Sequence, residues 1–466
     1  MKSKEFNSQV KLDKLSLEEI HKLDDLNIEK FSMFGEINLL SLVINQMVIY
    51  ITSSILNAQK KPYGSYISFP FANSTYLENN LNFKASQTDI NYKLSLQRLK
   101  KILYRHVPFA NVSTLNVFSD VYSDLKIVLN KNFILRKTAA FKPMYLNSYD
   151  EQFKILKNYL DNFKYKNQIK NINYSENFIN CIKPYFSKER FEIDKSDFLL
   201  VGTNSKLENR VTSANYLLNK RQVISFNHAN YNILMTDEPH QEYAELAFCS
   251  YYVDFGSLKK RIKTLKSNYL GPKKIIHLNN TTLNKITISN NIKEKIIYVG
   301  DSFNGDERHG PYRELDDAGY YKFQKKLLNS KKNILYKTHP KLKTLYANNF
   351  KHNKKDIISG DLLVLIKKYK LFIVDRISQA FFHIACSDVK ILYLNIGRKK
   401  IKKEILNELK KRAYVVNIDP FNINKNKIAF YINKAKNFKI KKNKILELCV
   451  HSKNKNFNEI LNILSK

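Results

Sequence analysis

Four short segments of this 466-residue chain combine residue types that can move a proton or hold a phosphate. In NILYKTHPKL, 333–342, an apolar run stops at Thr338-His339-Pro340. Pro340 fixes its own φ and pushes His339 away from helical geometry. An imidazole pre-set in this way can donate to a phosphate oxygen or carry a proton. The same pair can equally be a strand-ending proline beside a surface histidine. In IVDRISQAFF, 373–382, Asp375 closes an apolar strand and Ser378 stands where the next helix begins. That hydroxyl either caps the helix or joins Gln379 in adding donors to the N–H groups of a helix start. In ISFNHAN, 224–230, His228 follows another strand, ahead of the acidic TDEPHQE with Asp237 and Glu242. A histidine near a carboxylate at a cleft can act as a general base; it can also be a loop histidine with no role. Lastly, VGDSFNGDERHGPYRE, 299–314, places Asp301, Arg308 and His309 among Gly300, Gly305 and Gly310. This segment either closes over a substrate or is a solvated loop with turn glycines.

The elements that must position these residues are clearest in the second half. EKIIYVGDSF, NILYKTHP, LFIVD, VKILYLNIG and AYVVNI read as strands. YYKFQKKLLNS, GDLLVLIKKYK, SQAFFHIACS, KKEILNELKK and KNKIAFYINKAKN, which alternate with them, read as helices. Short apolar strands alternating with helices predict a parallel sheet covered on both faces. The middle repeats the pattern. DFLLVGTN, RQVISFNHAN and CSYYVDFG read as strands, KLENRVTSANYLLNK and EPHQEYAELAF as helices. The expected fold class is therefore α/β, with two Rossmann-like domains facing across a cleft and extra helices at the N-terminus. The expected boundaries are 1–256 for the first domain, with its α/β unit at 194–256, then a basic linker over 257–291. The second domain follows over 292–466, with C-terminal helices. Ligands of open parallel sheets sit beyond the carboxyl ends of the strands, which is where His339, Asp375, Ser378 and His228 fall.

Composition narrows the chemistry. Hydrophobic residues at 43% and charged residues at 26% are globular values, and the length suffices for two or three cores. Net charge is +37, from 79 Lys and Arg against 42 Asp and Glu. Such a field attracts nucleic acid, anionic membrane or phosphorylated substrates. The same lysine-rich composition, without tryptophan, is also what drift in an AT-rich genome produces. Cys181, Cys249, Cys386 and Cys449 are scattered with no CxxC pair, which argues against a zinc knuckle and suits a reducing compartment. The chain has no GxxxxGK[ST], GxGxxG or HExxH motif, so the usual ATPase, dinucleotide and metalloprotease signatures are missing. The N-terminal segment has no apolar h-region. LLSLVINQMVIYITSSIL, 39–56, carries Asn45, Gln46 and Thr52-Ser53-Ser54. It is too short and too polar for a membrane span and is expected to be a buried helix.

Taken together, these segments resemble the bacterial surface-carbohydrate transferases of GT-B architecture. That group includes capsule and lipopolysaccharide Kdo transferases, polysialyltransferases and CDP-glycerol glycerophosphotransferases. Its His-Pro motif is matched by His339-Pro340, and its Asp-x-x-Ser motif by Asp375 and Ser378. Its upstream His-Gly motif, acidic segment and aromatic-Gly end are matched by ISFNHANYN and DEPHQEYAELAFCSYYVDFG. The chain departs from the pattern at Ala229, Phe255 and Gln379, where glycine, tryptophan and a second serine are usual.

The resemblance implies a glycosyltransferase of surface carbohydrate (capsule or lipopolysaccharide) biosynthesis. It would take a sugar, such as a CMP-activated acidic sugar, from a nucleotide-activated donor to a glycan or lipid-linked acceptor. It implies donor phosphate contacts from His339, Pro340, Asp375, Ser378 and Gln379, with Arg308 added from its loop, in a second, donor-side domain. The first domain would hold the acceptor and a base drawn from His228, Asp237 and Glu242. No cofactor and no bound metal are expected; the nucleotide-sugar is a co-substrate. The expected location is cytoplasmic, in peripheral contact with the anionic inner face of the membrane. Transfer of a polyol phosphate from a CDP-linked donor is the enzymatic alternative. A basic nucleic-acid-binding protein, which lacks motif support, and a non-catalytic assembly protein are the others.

Overall fold

The computed structural model describes residues 37–58, 111–115, 125–126, 129–130, 133–137, 142–166, 173–192, 196–202, 204, 207–227, 245–257, 270–279, 283, 293–301, 317–331, 333–338, 353–397, 401–451 and 457–465. Two six-stranded sheets, parallel throughout, organise these residues. The first contains β1 (Asn111–Leu115), β2 (Ile134–Lys137), β3 (Phe198–Val201), β4 (Gln222–Phe226), β5 (Tyr251–Phe255) and β6 (Lys274–Leu278). Its order is β2-β1-β3-β4-β5-β6.

Helices cover this sheet on both faces. On one face, α1 (Leu39–Ala58), α2 (Tyr149–Lys166) and α3 (Tyr174–Ile182) build an apolar cluster against α4 (Leu207–Leu218). The described side chains of α1 are buried nearly all round, as expected of a helix enclosed by others rather than one lying on a surface. Its polar N-terminus is satisfied internally: the Leu39 amide donates to Gln152 Oε1 at 2.8 Å. Arg210 on α4 is fully buried and donates from Nη1 to the Leu42 carbonyl at 3.2 Å, tying α4 to α1.

The second sheet contains β7 (Lys293–Val299), β8 (Ile334–Lys337), β9 (Ile357–Ile358), β10 (Tyr369–Val374), β11 (Lys390–Asn395) and β12 (Tyr414–Asn417). Its order is β9-β8-β7-β10-β11-β12. Counted within the sheet this is 3-2-1-4-5-6, the Rossmann order, and the switch point lies between β7 and β10. One face carries α5 (Asp317–Leu328) and α9 (Lys425–Lys436). The other carries α6 (Leu362–Lys368), α7 (Gln379–Ala385), α8 (Lys403–Arg412) and α10 (Ile445–Cys449). Helix starts are fixed locally. Asp361 caps α6 by accepting from the Leu363 amide at 2.9 Å, and Asn424 caps α9 by accepting from Asn426 and Lys427, each satisfying otherwise orphaned donors.

The architecture is thus α/β and GT-B-like, with two Rossmann-like sheets following one another in the chain. Three features depart from the sequence expectation. β1 and β2 bring residues before 194 into the first sheet. Residues 274–278, expected within the linker, form its edge strand β6; the lysines around a five-residue run concealed it. The last helix, α11 (Asn458–Leu464), expected with the second domain, buries Ile460 and Leu464 against the first sheet. Glu459 reinforces that docking through a 2.6 Å ion pair with Lys274.

Just past β5, the chain meets α10 at Gly256, whose φ is +77°. A Cβ there would come within 2.3 Å of the Leu448 carbonyl oxygen. Ser257 donates from both its amide and its hydroxyl to the Glu447 carbonyl, each at 3.0 Å. Gly256→Ala is expected to destabilise the protein by at least about 1–2 kcal/mol from the left-handed backbone alone, with the backbone clash added. A thermal melt checks this, and an unchanged midpoint would contradict it.

Candidate functional site at the switch point of the second sheet

The ends of the second sheet are level. Lys337 on β8 pairs with Val299 on β7, and Val299 pairs with Val374 on β10. Thr338, Gly300 and Asp375 are therefore the first residues past one common edge, across about 10 Å of sheet. His339 follows Thr338 in sequence, but it lies outside the described residues, as do Pro340, Arg308, His228, Asp237 and Glu242. Asp375, Ser378 and Gln379 are described, and the fold places them at this edge.

Asp375 is buried and held by phenols. Tyr298 on β7 donates its hydroxyl to Asp375 Oδ2 at 2.5 Å, and Tyr320 on α5 donates to the same oxygen at 2.7 Å. The Asp301 amide donates to the Tyr320 hydroxyl at 2.7 Å. The Asp301 carboxylate in turn pairs with Arg376 Nη1, with only 10% of the arginine side chain and 5% of the aspartate exposed. One continuous chain thus runs from Arg376 through Asp301 and Tyr320 to Asp375, joining the segments after β7 and β10 across the switch point.

The electrostatics follow from this wiring. Burial, then the Asp375 charge, raises the Tyr298 hydroxyl well above its ordinary pKa, so it remains a donor. Tyr393 on β11 is also raised, first by burial and then by Asp375, with Arg376 opposing. Arg376 balances Asp301, and two phenols solvate Asp375. The edge therefore carries two carboxylates without presenting bare negative charge to a phosphate. Gly300 belongs to the same design, because a Cβ there would meet Gln324 Nε2 at 2.8 Å and Tyr298 Oη at 3.0 Å. A side chain would push on the phenol that holds Asp375.

Ser378 sits at the N-cap of α7 with extended backbone, φ −144° and ψ 177°, and its side chain makes no cap hydrogen bond. Capping, the plain alternative for this residue, is not what its hydroxyl does. α7 is only seven residues long, so the helix dipole contributes little beyond its first turn; the side chains carry the site.

A second polar knot stands at the carboxyl edge of the first sheet. Asn227, directly before His228, donates from Nδ2 to Asp254 Oδ1 at 2.6 Å, and the Phe255 amide donates to the same oxygen at 3.0 Å. Asn227 and Asp254 are both buried. The point where the His228 segment leaves the sheet is therefore anchored by a carboxylate.

Sequence reasoning missed Arg376, Tyr298, Tyr320 and Asp254 as site residues and left Asp301 as one residue of a loop. Signals existed for two of them: Arg376 adjoins the motif aspartate, and Asp254 interrupts the apolar run YYVDF. Tyr298 and Tyr320 read as core and become polar ligands only through tertiary pairing.

Among the described residues, no group of three or more His, Cys, Asp or Glu side chains could hold a metal ion. No described helix is long and apolar enough to cross a membrane.

No protein-family model matches the chain, and no curated protein matches it. Solved structures of similar shape include a co-structure of S. aureus MnaA with UDP, at 13% identity and TM-score 0.39, covering 76% of this chain and 96% of that one. Acinetobacter baumannii MurG is similar at 7% identity and TM-score 0.34, with 76% and 99% covered. The spinosyn rhamnosyltransferase SpnG, complexed with spinosyn aglycone, is similar at 9% identity and TM-score 0.31, with 70% and 92% covered. Scores this low carry no inference about what this chain does.

Proposed function

We propose that the chain is a glycosyltransferase whose second domain binds a nucleotide-activated sugar at the switch point between β7 and β10. The observation that carries this reading is the buried, charge-balanced chain Arg376–Asp301–Tyr320–Asp375–Tyr298 at that edge. A rigid cationic group set among satisfied carboxylates is what a nucleotide phosphate requires of its site. The finer assignment, to surface-carbohydrate transfer, rests on the resemblance carried by His339-Pro340, Asp375 and Ser378. The CMP-linked acidic sugar, glycan or lipid-linked acceptor, cytoplasmic location and metal-free chemistry belong to the same proposal.

In this scheme an acceptor hydroxyl loses its proton to a base of the first domain, drawn from His228, Asp237 and Glu242. Its oxygen attacks the anomeric carbon, the bond from that carbon to the phosphate oxygen breaks, and the nucleotide leaves with the electron pair. Arg376, the Ser378 hydroxyl and His339 stabilise the charge that develops on the leaving phosphate, with Gln379 and Arg308 as further contacts. Fixed donors and the guanidinium serve this purpose without a metal ion.

A thermal-shift screen with CMP, CDP, UDP and GDP in EDTA tests the reading. One nucleotide at about 100 times its Kd is expected to stabilise the protein by about 2.7 kcal/mol. No shift with any of the four, or a shift only after Mg²⁺ is added, would contradict it. If a CDP-linked polyol rather than a nucleotide-sugar turns over, the reaction is polyol-phosphate transfer at the same site.

A further inference from the structure

We propose that the Asn395–Asn417 amide pair, on one flank of the switch-point site, is the subsite that grips the hydroxyl groups of the sugar being transferred. This assignment rests on the nucleotide-sugar reading of the site and gives a role to two residues which that reading does not use.

The edge of the second sheet has a step in it. β7, β8 and β10 stop together at Val299, Lys337 and Val374. Val374 is in register with Tyr393, and Tyr393 with Val415. Yet β11 and β12 run on for two more residues, to Asn395 and Asn417. At about 3.3 Å per residue, this raises a wall about 7 Å high next to the segment that carries Arg376. The side chains share a face. Val299, Val374, Tyr393 and Val415 all pack into the apolar cluster beneath α7 and α8. Two positions further along the same strands stand Asp301, Arg376, Asn395 and Asn417. Residues two apart on a strand point the same way, which puts Asn395 and Asn417 on that face. The charges of Arg376 and Asp301 both reach the Tyr393 phenol, so they lie on it too. An ion pair and an amide pair thus continue one another across four adjacent strands.

The amide pair has one orientation. The Gly397 amide can only donate, and it donates to Asn395 Oδ1 at 3.4 Å. Asn395 Nδ2 is thereby turned to Asn417, and donates to its Oδ1 at 2.8 Å. Asn417 Nδ2 is left facing away from its neighbour, on an exposed residue, with no partner among the described residues. Asparagine is common in this chain, so its occurrence here carries no weight. The register, the shared face and the fixed orientation carry the assignment.

The wall offers N–H donors and carbonyl lone pairs side by side and no charge. Hydroxyl groups, each a donor and an acceptor at once, match it best. A nucleobase would ask for a ring to stack on, and the ring beneath, Tyr393, is only 3% exposed. A second phosphate would ask for a cation. Asn395 and Asn417 lie one and two strands from the end of β10, about 5 and 10 Å of sheet. A sugar joined to a phosphate held by Arg376 and Ser378 reaches that far.

Calorimetric titration of the full chain tests this, with CMP, UDP and GDP and with CMP-N-acetylneuraminate, UDP-N-acetylglucosamine and GDP-mannose as probes. Asn417→Ala is expected to leave the affinity for the bare nucleotide unchanged and to weaken the sugar-carrying form about five- to tenfold. Asn395→Ala frees the Asn417 amide to turn and should lose a similar factor, again only when the sugar is present. Melts establish that both variants are folded. If neither variant weakens a sugar-carrying form, the assignment is overturned while the nucleotide reading stands. Equal losses for bare and sugar-carrying forms would also overturn it, by giving the pair to the nucleoside. A parent that binds none of the probes would overturn the nucleotide reading itself, and the assignment with it.

Discussion

Replacing Arg376 with glutamine is expected to slow transfer by about a hundred- to a thousandfold, the usual cost of removing one preorganised donor from a developing negative charge. Nucleotide affinity should fall as well, because the phosphate is already charged in the ground state. Arg376→Lys should recover only part of the loss, since an ammonium cannot hold Asp301 and a phosphate through one planar fork. The competing explanation is that Arg376 only neutralises the buried Asp301 carboxylate. The double variant Asp301→Asn, Arg376→Gln separates the two. It restores charge balance, so under the competing explanation nucleotide affinity returns; under the present account it stays as weak as in Arg376→Gln. Calorimetric titration of all the variants, with melts to establish that each is folded, gives the result.

Arg412→Ala is expected to lower stability by about 3–5 kcal/mol, read as a lower urea midpoint at unchanged slope. Arg412, at the end of α8, is buried under the C-terminus of α7. It donates to the carbonyls of Ile384, Ala385, Ser387 and Val389, acting as a side-chain cap for a short helix. Burial first of all lowers its pKa to about 10, with Asp388 opposing. The sign is then fixed: the folded state disfavours the proton relative to the unfolded chain, so the charge costs stability at neutral pH. That cost should recede as pH rises through about 10. The carbonyl hydrogen bonds offset it. Removing the guanidinium strands those oxygens in the interior, which is why truncation should harm more than the desolvation cost would suggest. Arg412→Lys should behave like a truncation, because one ammonium cannot span four carbonyls. A midpoint within error of the parent for Arg412→Ala would refute this role.

The second sheet was legible because most of its strands are short apolar runs bounded by well-patterned helices, and all ten of its predicted segments correspond to observed elements. Boundaries moved, since Tyr369 and Lys370, read as the end of a helix, begin β10, and two short elements were missed: the two-residue edge strand β9 and the five-residue helix α10. The first sheet was half legible. β3, β4 and β5 follow the same rule, but β1 carries the polar sequence NVSTL and β2 the basic ILRK, patterns that periodicity alone does not separate from loop. The placement of Asp375 and Ser378 just past a strand end was legible because each is a residue type rare at its position. Contacts created by a tertiary partner were illegible. Tyr298 and Tyr320 are 22 positions apart and meet on one oxygen of Asp375, a coincidence that only the sheet order produces.

The most direct measurement is a crystal structure of the protein with whichever nucleotide stabilises it. The account predicts the phosphate beyond the carboxyl ends of β7 and β10, within hydrogen-bond reach of Arg376 and the Ser378 hydroxyl. A nucleotide seated on the first sheet, or on the second sheet with its phosphate away from the Asp301–Arg376 pair, would contradict it.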